Sequence, residues 1–280
     1  MLKVQRALSH LQYRLQRSYA TSSKLIEISR IFFSIGVTTL SMARAPVNSL
    51  NKELLRALET SISEAKNNGS KGIVLTSSLP TVFSAGLDLM ELYNRTEAQL
   101  IEFWTTLQST WMTLYGLEMP IAAAINGASP AGGCLLGVSC EYRVFVEGKH
   151  TIGFNETQLG IVAPKWFRDP YIAIMGYRVA EMALLKGTLF SPNEALKHEL
   201  VDELATDKQD AIKKCQKYIS GFKNISPQAR SLTKLALRSD TLTWLKQNRD
   251  EDLKVFLNII QLPQVQAGLK FYLESLKKKA

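Results

Sequence analysis

Three short stretches hold the residue types and spacings that could do chemistry. The first, Gly153-Phe-Asn-Glu-Thr-Gln-Leu-Gly-Ile-Val-Ala-Pro164, sets one carboxylate, Glu156, among Phe154, Leu159, Ile161 and Val162. Apolar surroundings strip water from a carboxylate, raise its pKa and make it a base near neutral pH. The same acid on a surface turn would have no such role. The second, Pro130-Ala-Gly-Gly-Cys134, leads into an apolar run ending at Cys140. A helix start leaves backbone N–H groups unpaired at the positive end of the helix dipole. Ala131, Gly132 and Gly133 are small enough for a ligand atom to reach those donors, which describes an oxyanion site. Glycines also serve where a helix packs closely on a strand, so both roles stay open. The third, Phe83-Ser-Ala-Gly-Leu-Asp-Leu89, has Gly86 to permit an unusual backbone angle that could turn the Leu87 N–H toward a site. Asp88 can cap the segment after it.

The scaffold around these residues can be read from hydrophobic periodicity. Lys24–Ser41 is β-branched and aromatic with partial alternation and predicts two short strands. A helix comes next, capped by Asn48 or Ser49, with Leu50, Leu54, Leu58, Ile62 and Ala65 at helical spacing and Asn67-Asn68-Gly69 at its end. Gly72–Thr76 predicts a buried strand, so the unit is parallel βαβ with a right-handed crossover. Glu97–Tyr115 predicts a long helix whose Phe103, Trp104 and Trp111 stripe is core. Ile121–Ile125 and Tyr142–Val146 are strands, and Cys134–Cys140 is a buried helix. Tyr171–Lys186 predicts one amphipathic helix, and Ser191-Pro-Asn-Glu194 a capping box. Beyond Thr206 the pattern is helical, over Asp207–Phe222, Ser226–Leu237, Thr241–Ile260 and Pro263–Lys278. Two small-residue turns after neighbouring parallel strands would share the strand-end face where α/β sheets bind ligands. The fold class is α/β with an appended helical portion.

The net charge of +9 invites a nucleic-acid partner, but its placement argues against one. Five of those charges lie in acid-free residues 1–26 and three are Lys277, Lys278 and Lys279, which leaves +1 for the rest. Residues 1–23, Arg- and Ser-rich with leucines along one helical face, have the composition of a mitochondrial transit peptide. The final Lys-Lys-Ala280 is not a peroxisomal signal. Three cysteines without a CxxC pair and three scattered histidines predict a reducing compartment and no metal site. No apolar run approaches the ~20 residues of a membrane span.

FSAGLDL (83–89), INGASPAGGCLLGVSCEYRV (125–144) and NETQLGI (155–161) together resemble the crotonase, or enoyl-CoA hydratase/isomerase, superfamily, from about Leu25 to the C-terminus. The resemblance implies a core of repeated ββα units over residues 24–205 and a helical module over 206–280 that builds a homotrimer. It implies an acyl-CoA substrate whose thioester oxygen sits between the N–H groups of Leu87 and Gly132. Ala85, Gly86, Leu87, Asp88 and Leu89 would contact coenzyme A, which is part of the substrate, and Asn155 would lie beside the acyl chain. No metal or separate cofactor is implied, and the address is the mitochondrial matrix.

One departure separates activities within the superfamily. Hydratases resembling this chain carry an acid three residues after the oxyanion glycine, where this sequence has Leu135, and a proline before the later acid, where it has Asn155. Adding water needs groups that hold the water and deliver its proton, whereas moving a double bond needs one group that takes a proton and returns it. One carboxylate suits the second task. The resemblance therefore implies an isomerase of fatty-acid β-oxidation that converts 3-enoyl-CoA to trans-2-enoyl-CoA, with Glu156 carrying the proton from C2 to C4. The alternatives are an enoyl-CoA hydratase, or a non-catalytic RNA-binding or scaffold member.

Overall fold

The structure is a computed structural model that describes residues 25–31 and 36–277. The segment 1–23 read as a transit peptide, the 32–35 part of the first apolar run, and Lys278 and Lys279 lie outside the described residues. One sheet organises the front of the molecule in the order β1-β2-β3-β4-β6-β8. β1 (Ile26–Ile31) pairs antiparallel with β2 (Val37–Met42). β3 (Gly72–Ser77), β4 (Ile121–Ile125), β6 (Tyr142–Val146) and β8 (Glu203–Ala205) all run parallel to β2. α1 (Lys52–Asn67) joins β2 to β3 and α2 (Glu97–Tyr115) joins β3 to β4. The paired strands and crossover helices match the sequence expectation, and three of those elements, α2, β4 and β6, have the predicted bounds.

The two-residue period of the strands sorts their side chains between two cores. Ile73, Leu75, Ile121, Ala123 and Ile125 face the large core with Leu54, Leu58, Phe103, Trp104 and Trp111 of α1 and α2. The tryptophan stripe is therefore packing. Val74, Ala122, Ala124 and Val144 face the other way, where α7 (Lys208–Ser220) covers them with Ala211, Cys215 and Ile219. The proposed 206–280 module thus begins with a helix that completes the sheet.

The remaining helices differ from expectation in three places. α1 is capped by Asn51, whose side chain accepts from the Leu54 N–H, and neither Asn48 nor Ser49 caps it. Leu50 lies outside the helix, bridged to Leu87. The single helix expected over 171–186 is two, α4 (Lys165–Met175) and α5 (Tyr177–Lys186), because Gly176 at φ 75° takes the chain out of helical geometry. α8 (Pro227–Gln247) runs through the expected break at 238–240, and α9 (Arg249–Ile260) starts after Asn248 instead. The capping box at Ser191 opens α6 (Pro192–Lys197) as predicted. α10 (Pro263–Lys277) ends the described chain.

Buried polar contacts fix the last helices to the core. Glu141 receives Arg230 and, at 2.6 Å, Lys234 of α8. Asp252 of α9 accepts from Trp104 Nε1 at 2.7 Å, Gln108 Nε2 at 2.8 Å and Trp166 Nε1 at 3.1 Å.

Candidate active site

The two small-residue loops leave the carboxyl ends of the neighbouring strands β3 and β4 and pack directly on each other. A Cβ on Gly127 would stand 2.1 Å from Thr81 O, and one on Gly133 2.4 Å from Ser84 O. Only residues without side chains allow that approach. Farther along, a Cβ on Gly132 would lie 3.1 Å from Leu87 N, and one on Gly86 would lie 3.1 Å from Gly132 N. The two predicted donors are therefore side by side. Gly86 has φ 89°, a backbone angle that costs glycine nothing. The flanking pairs Leu50 N–H to Gly86 O (2.8 Å) and Asp88 N–H to Leu50 O (3.1 Å) hold the loop on its other edge and leave the Leu87 N–H facing away from Leu50.

Gly132 is the first residue of α3 (Gly132–Ser139), so its N–H has no intrahelical acceptor. Ala131, which caps that helix, has φ 49° and ψ −118°, a strained backbone for a residue with a Cβ. Its N–H is held by Gly153 O at 2.8 Å, within the small parallel pair β5 (Ser129–Pro130) and β7 (Ile152–Gly153). That pair joins the helix start to the segment carrying Asn155 and Glu156.

Glu156 opens a 3₁₀ turn, Glu156–Leu159, and is 8 % exposed. Both carboxylate oxygens are buried and have no hydrogen-bond partner among the described residues. Burial raises its pKa to about 7, against the opposing pull of its own backbone N–H. The Phe154 ring is tilted against those of Tyr171 (4.9 Å between ring centroids) and Phe167 (5.6 Å), an aromatic cluster two residues from the acid. The charge on Glu156 is felt at Cys134, two residues into α3, whose thiol is pushed up first by burial and then by that charge. A cavity of about 230 Å³ opens beside Glu156, lined by Phe154, Ala163, Ile172 and Leu184, with Arg168 and Tyr177 among its other walls.

The other predicted residues occupy distinct places. Ala85 is exposed with its N–H on Val47 O at 2.9 Å. Asp88 pairs with Arg44 at 2.9 Å, accepts from Ser49 Oγ at 3.0 Å and caps the 3₁₀ turn Leu89–Glu91. Asn155 precedes Glu156, and its buried Oδ1 has no hydrogen-bond partner among the described residues. Leu135 is buried in α3 at 1 % exposure, so the position where hydratases resembling this chain carry an acid is apolar here.

Sequence reading missed Asn48. It is fully buried at φ 49°, and its Nδ2 lies 3.2 Å from Met42 O, 2.8 Å from Ser77 Oγ and 3.1 Å from Phe83 O. Its Oδ1 accepts from Arg44 N at 2.7 Å, so one side chain ties β2, β3 and the Leu87 loop together. An asparagine beside a turn is a known signal for a left-handed backbone, but capping uses the same residue type.

Residues 33–279 match the family described as Enoyl-CoA hydratase/isomerase. The chain belongs to that family. Among curated members, the chain is 43 % identical over 265 residues to enoyl-CoA delta isomerase 1, mitochondrial, of Mus musculus, covering 94 % of this chain and 90 % of that protein. The Homo sapiens protein of the same name is 40 % identical over 246 residues, covering 87 % and 81 %. The crystal structure of human mitochondrial delta3-delta2-enoyl-CoA isomerase superposes with a TM-score of 0.88 at 38 % identity, over 91 % of this chain and 99 % of that one. An enoyl-CoA hydratase from Bacillus halodurans shares the fold, with a TM-score of 0.77 at 21 % identity over 88 % of this chain and 99 % of that one. The α/β crotonase-type fold with C-terminal helices is thus the fold of this chain.

Proposed function

We propose that Glu156 is the single acid–base group of a double-bond isomerase and that the Leu87 and Gly132 N–H groups hold the thioester oxygen of its substrate. The chain is an enoyl-CoA isomerase, the activity its mouse and human relatives are named for. The observation that carries the mechanism is a buried carboxylate with no hydrogen bond from another described residue, beside an apolar cavity, joined through β5 and β7 to a helix start whose first N–H has no intrahelical acceptor. A 3-enoyl-CoA places its C2 protons next to a carbonyl, where loss of H⁺ yields a dienolate. The C2–H electrons become the C1–C2 double bond and the charge moves onto the thioester oxygen. Two backbone donors at that oxygen stabilise the charge, each worth roughly 3–4 kcal/mol. Protonated Glu156 then returns the proton to C4, and the double bond ends between C2 and C3.

This route places every charge on the thioester or on Glu156 and asks for no cofactor; coenzyme A enters as part of the substrate. The apolar cavity suits the hydrocarbon beyond C4, with Asn155 beside it, and Ala85 through Leu89 border the coenzyme A side. Leu135 supplies no second carboxylate for holding a water, which favours isomerisation over hydration. The chain is mitochondrial, and we assign it to the matrix and to fatty-acid β-oxidation. The 206–280 helices are assigned to a homotrimer, a reading supported by Leu232 and Leu237 of α8, which are 61 % and 83 % exposed. Incubating the purified protein with 3-hexenoyl-CoA and 3-dodecenoyl-CoA tests the function. Conjugated 2-enoyl-CoA should accumulate, whereas rapid loss of an added 2-enoyl-CoA would instead indicate a hydratase.

A further inference from the structure

Among the described residues no other residue hydrogen-bonds the Glu156 carboxylate, and the polar group that acts on it is the backbone N–H of Glu156 itself. Its position depends on the backbone of the 156–159 turn. Two side chains of that turn reach the carboxyl end of α5. Thr157 Oγ1 donates to Leu184 O at 3.1 Å, and Gln158 Nε2 donates to Gly187 O at 2.9 Å. Both acceptors are carbonyls at the end of the helix and just beyond it, where the dipole is negative; Leu184 O also takes the C-cap Gly187 N–H at 3.3 Å.

The fit between turn and helix end is close. Gly187 has φ 63°, and a Cβ there would come within 2.7 Å of Gln158 Cγ and 2.9 Å of Thr157 Oγ1. The glycine serves both as the left-handed C-cap of α5 and as the floor on which the two tethers lie. On its other side, the turn meets α10, where a Cβ on Gly268 would be 3.7 Å from Leu159 O, an ordinary contact without a polar tie. α5 also lines the cavity beside the base, through Tyr177, Glu181, Leu184 and Leu185. Leu184 therefore faces the cavity with its side chain and holds Thr157 with its carbonyl.

We propose that Thr157 and Gln158 are positioning residues that lock the Glu156 turn onto the end of α5, so that the base and the helix lining the acyl cavity form one unit. This rests on Glu156 being the base. A hydrocarbon chain that packs on Leu184 steadies the carbonyl that holds Thr157, and the base is best placed when the cavity is filled. Short acyl chains, which leave α5 uncontacted, depend more on the two tethers.

The test compares Thr157→Val, Gln158→Leu, their double variant and Thr157→Ser with wild type and Glu156→Gln, using 3-hexenoyl-CoA and 3-dodecenoyl-CoA. Loss of one tether should lower kcat for 3-hexenoyl-CoA roughly fivefold, about the value of one net hydrogen bond. The loss for 3-dodecenoyl-CoA should be smaller, and Thr157→Ser should restore wild-type rates. The pH–rate inflection should move down in the double variant as water reaches the carboxylate. The other titratable groups facing the base, Cys134 and Tyr171, and the cavity-lining Arg168 and Glu181, are unchanged in it. A loss of overall stability alone would leave that inflection in place, and rescue by serine ties the effect to the Thr157 hydroxyl. Wild-type kcat and inflection in the double variant, with Glu156→Gln inactive, would overturn the tether proposal and leave the base assignment standing. Activity in Glu156→Gln would remove the base assignment, and the tether proposal with it. Should the double variant not fold, the single variants carry the same comparison.

Discussion

A methyl group on Gly132 would stand 3.1 Å from the nitrogen of Leu87, so the two backbone N–H groups, with the Leu50 and Leu87 side chains packed beside them, lie close together. They come from loops after adjacent parallel strands and meet because Gly127 and Gly133 let the loops touch. Gly132→Ala keeps both N–H groups but puts a carbon atom in front of Leu87 N and 3.0 Å from Leu50 Cδ1. We predict a fall in kcat of roughly 10²-fold or more, the scale of losing one oxyanion donor. Steady-state kinetics on 3-hexenoyl-CoA checks this, and an unchanged kcat would place the thioester elsewhere.

The raised pKa of Glu156, the proposed base, predicts the pH profile. A base must be unprotonated, so kcat/KM should rise with pH through an inflection near 7, the value to which burial lifts this carboxyl. An inflection near the ordinary glutamate value would mean that water reaches the acid in the working enzyme.

The same burial has a thermodynamic consequence. A carboxyl whose pKa is higher folded than unfolded leaves stability untouched below about 4.5, lowers it progressively as pH rises to about 7, and holds that penalty above. Glu156→Gln removes the charge. It should stabilise the protein at pH 8 by up to ~3 kcal/mol, the product of that shift and 1.36 kcal/mol per unit, and change little at pH 4. Denaturant unfolding at the two pH values measures the difference.

Asn48→Ala should destabilise the protein by about 2–4 kcal/mol, because Phe83 O and the Arg44 N–H lose their Asn48 partner and alanine is put at a positive φ. It should also lower kcat, since Phe83 O belongs to the loop that presents Leu87. A variant of normal stability and rate would show that other contacts hold that loop.

Leu184→Trp narrows the cavity beside Glu156 without touching the thioester end. The kcat/KM for 3-dodecenoyl-CoA should drop about tenfold or more, while that for 3-hexenoyl-CoA should change far less. Equal losses on both would place the hydrocarbon outside this cavity.

Much of this was legible in the sequence where local pattern and tertiary role agree. Apolar runs such as Ile121–Ile125 are bounded by turn residues, and the Glu97–Tyr115 periodicity has no interruption, so their bounds follow from chemistry within the segment. The nearness of the Leu87 and Gly132 loops followed from strand order. Asn48 was misplaced because its role is set by residues up to 35 positions away, while the local signal it gives is that of a helix cap. The break at Gly176 was hidden because apolar spacing continues across it. The start of α9 at Asn248 has no proline or glycine to mark it. Tethers such as Gln158 to Gly187 span 29 residues between a surface turn and a helix end, a pairing that no periodicity encodes.

The central claim is that one buried carboxylate moves the proton. The most direct measurement is the turnover of 3-dodecenoyl-CoA by purified Glu156→Gln, with acyl-CoA binding followed on the same sample. We predict binding close to wild type and a rate lower by roughly 10³-fold or more, as expected when the acid–base group is gone and the oxyanion donors remain. Turnover near the wild-type rate would contradict the account.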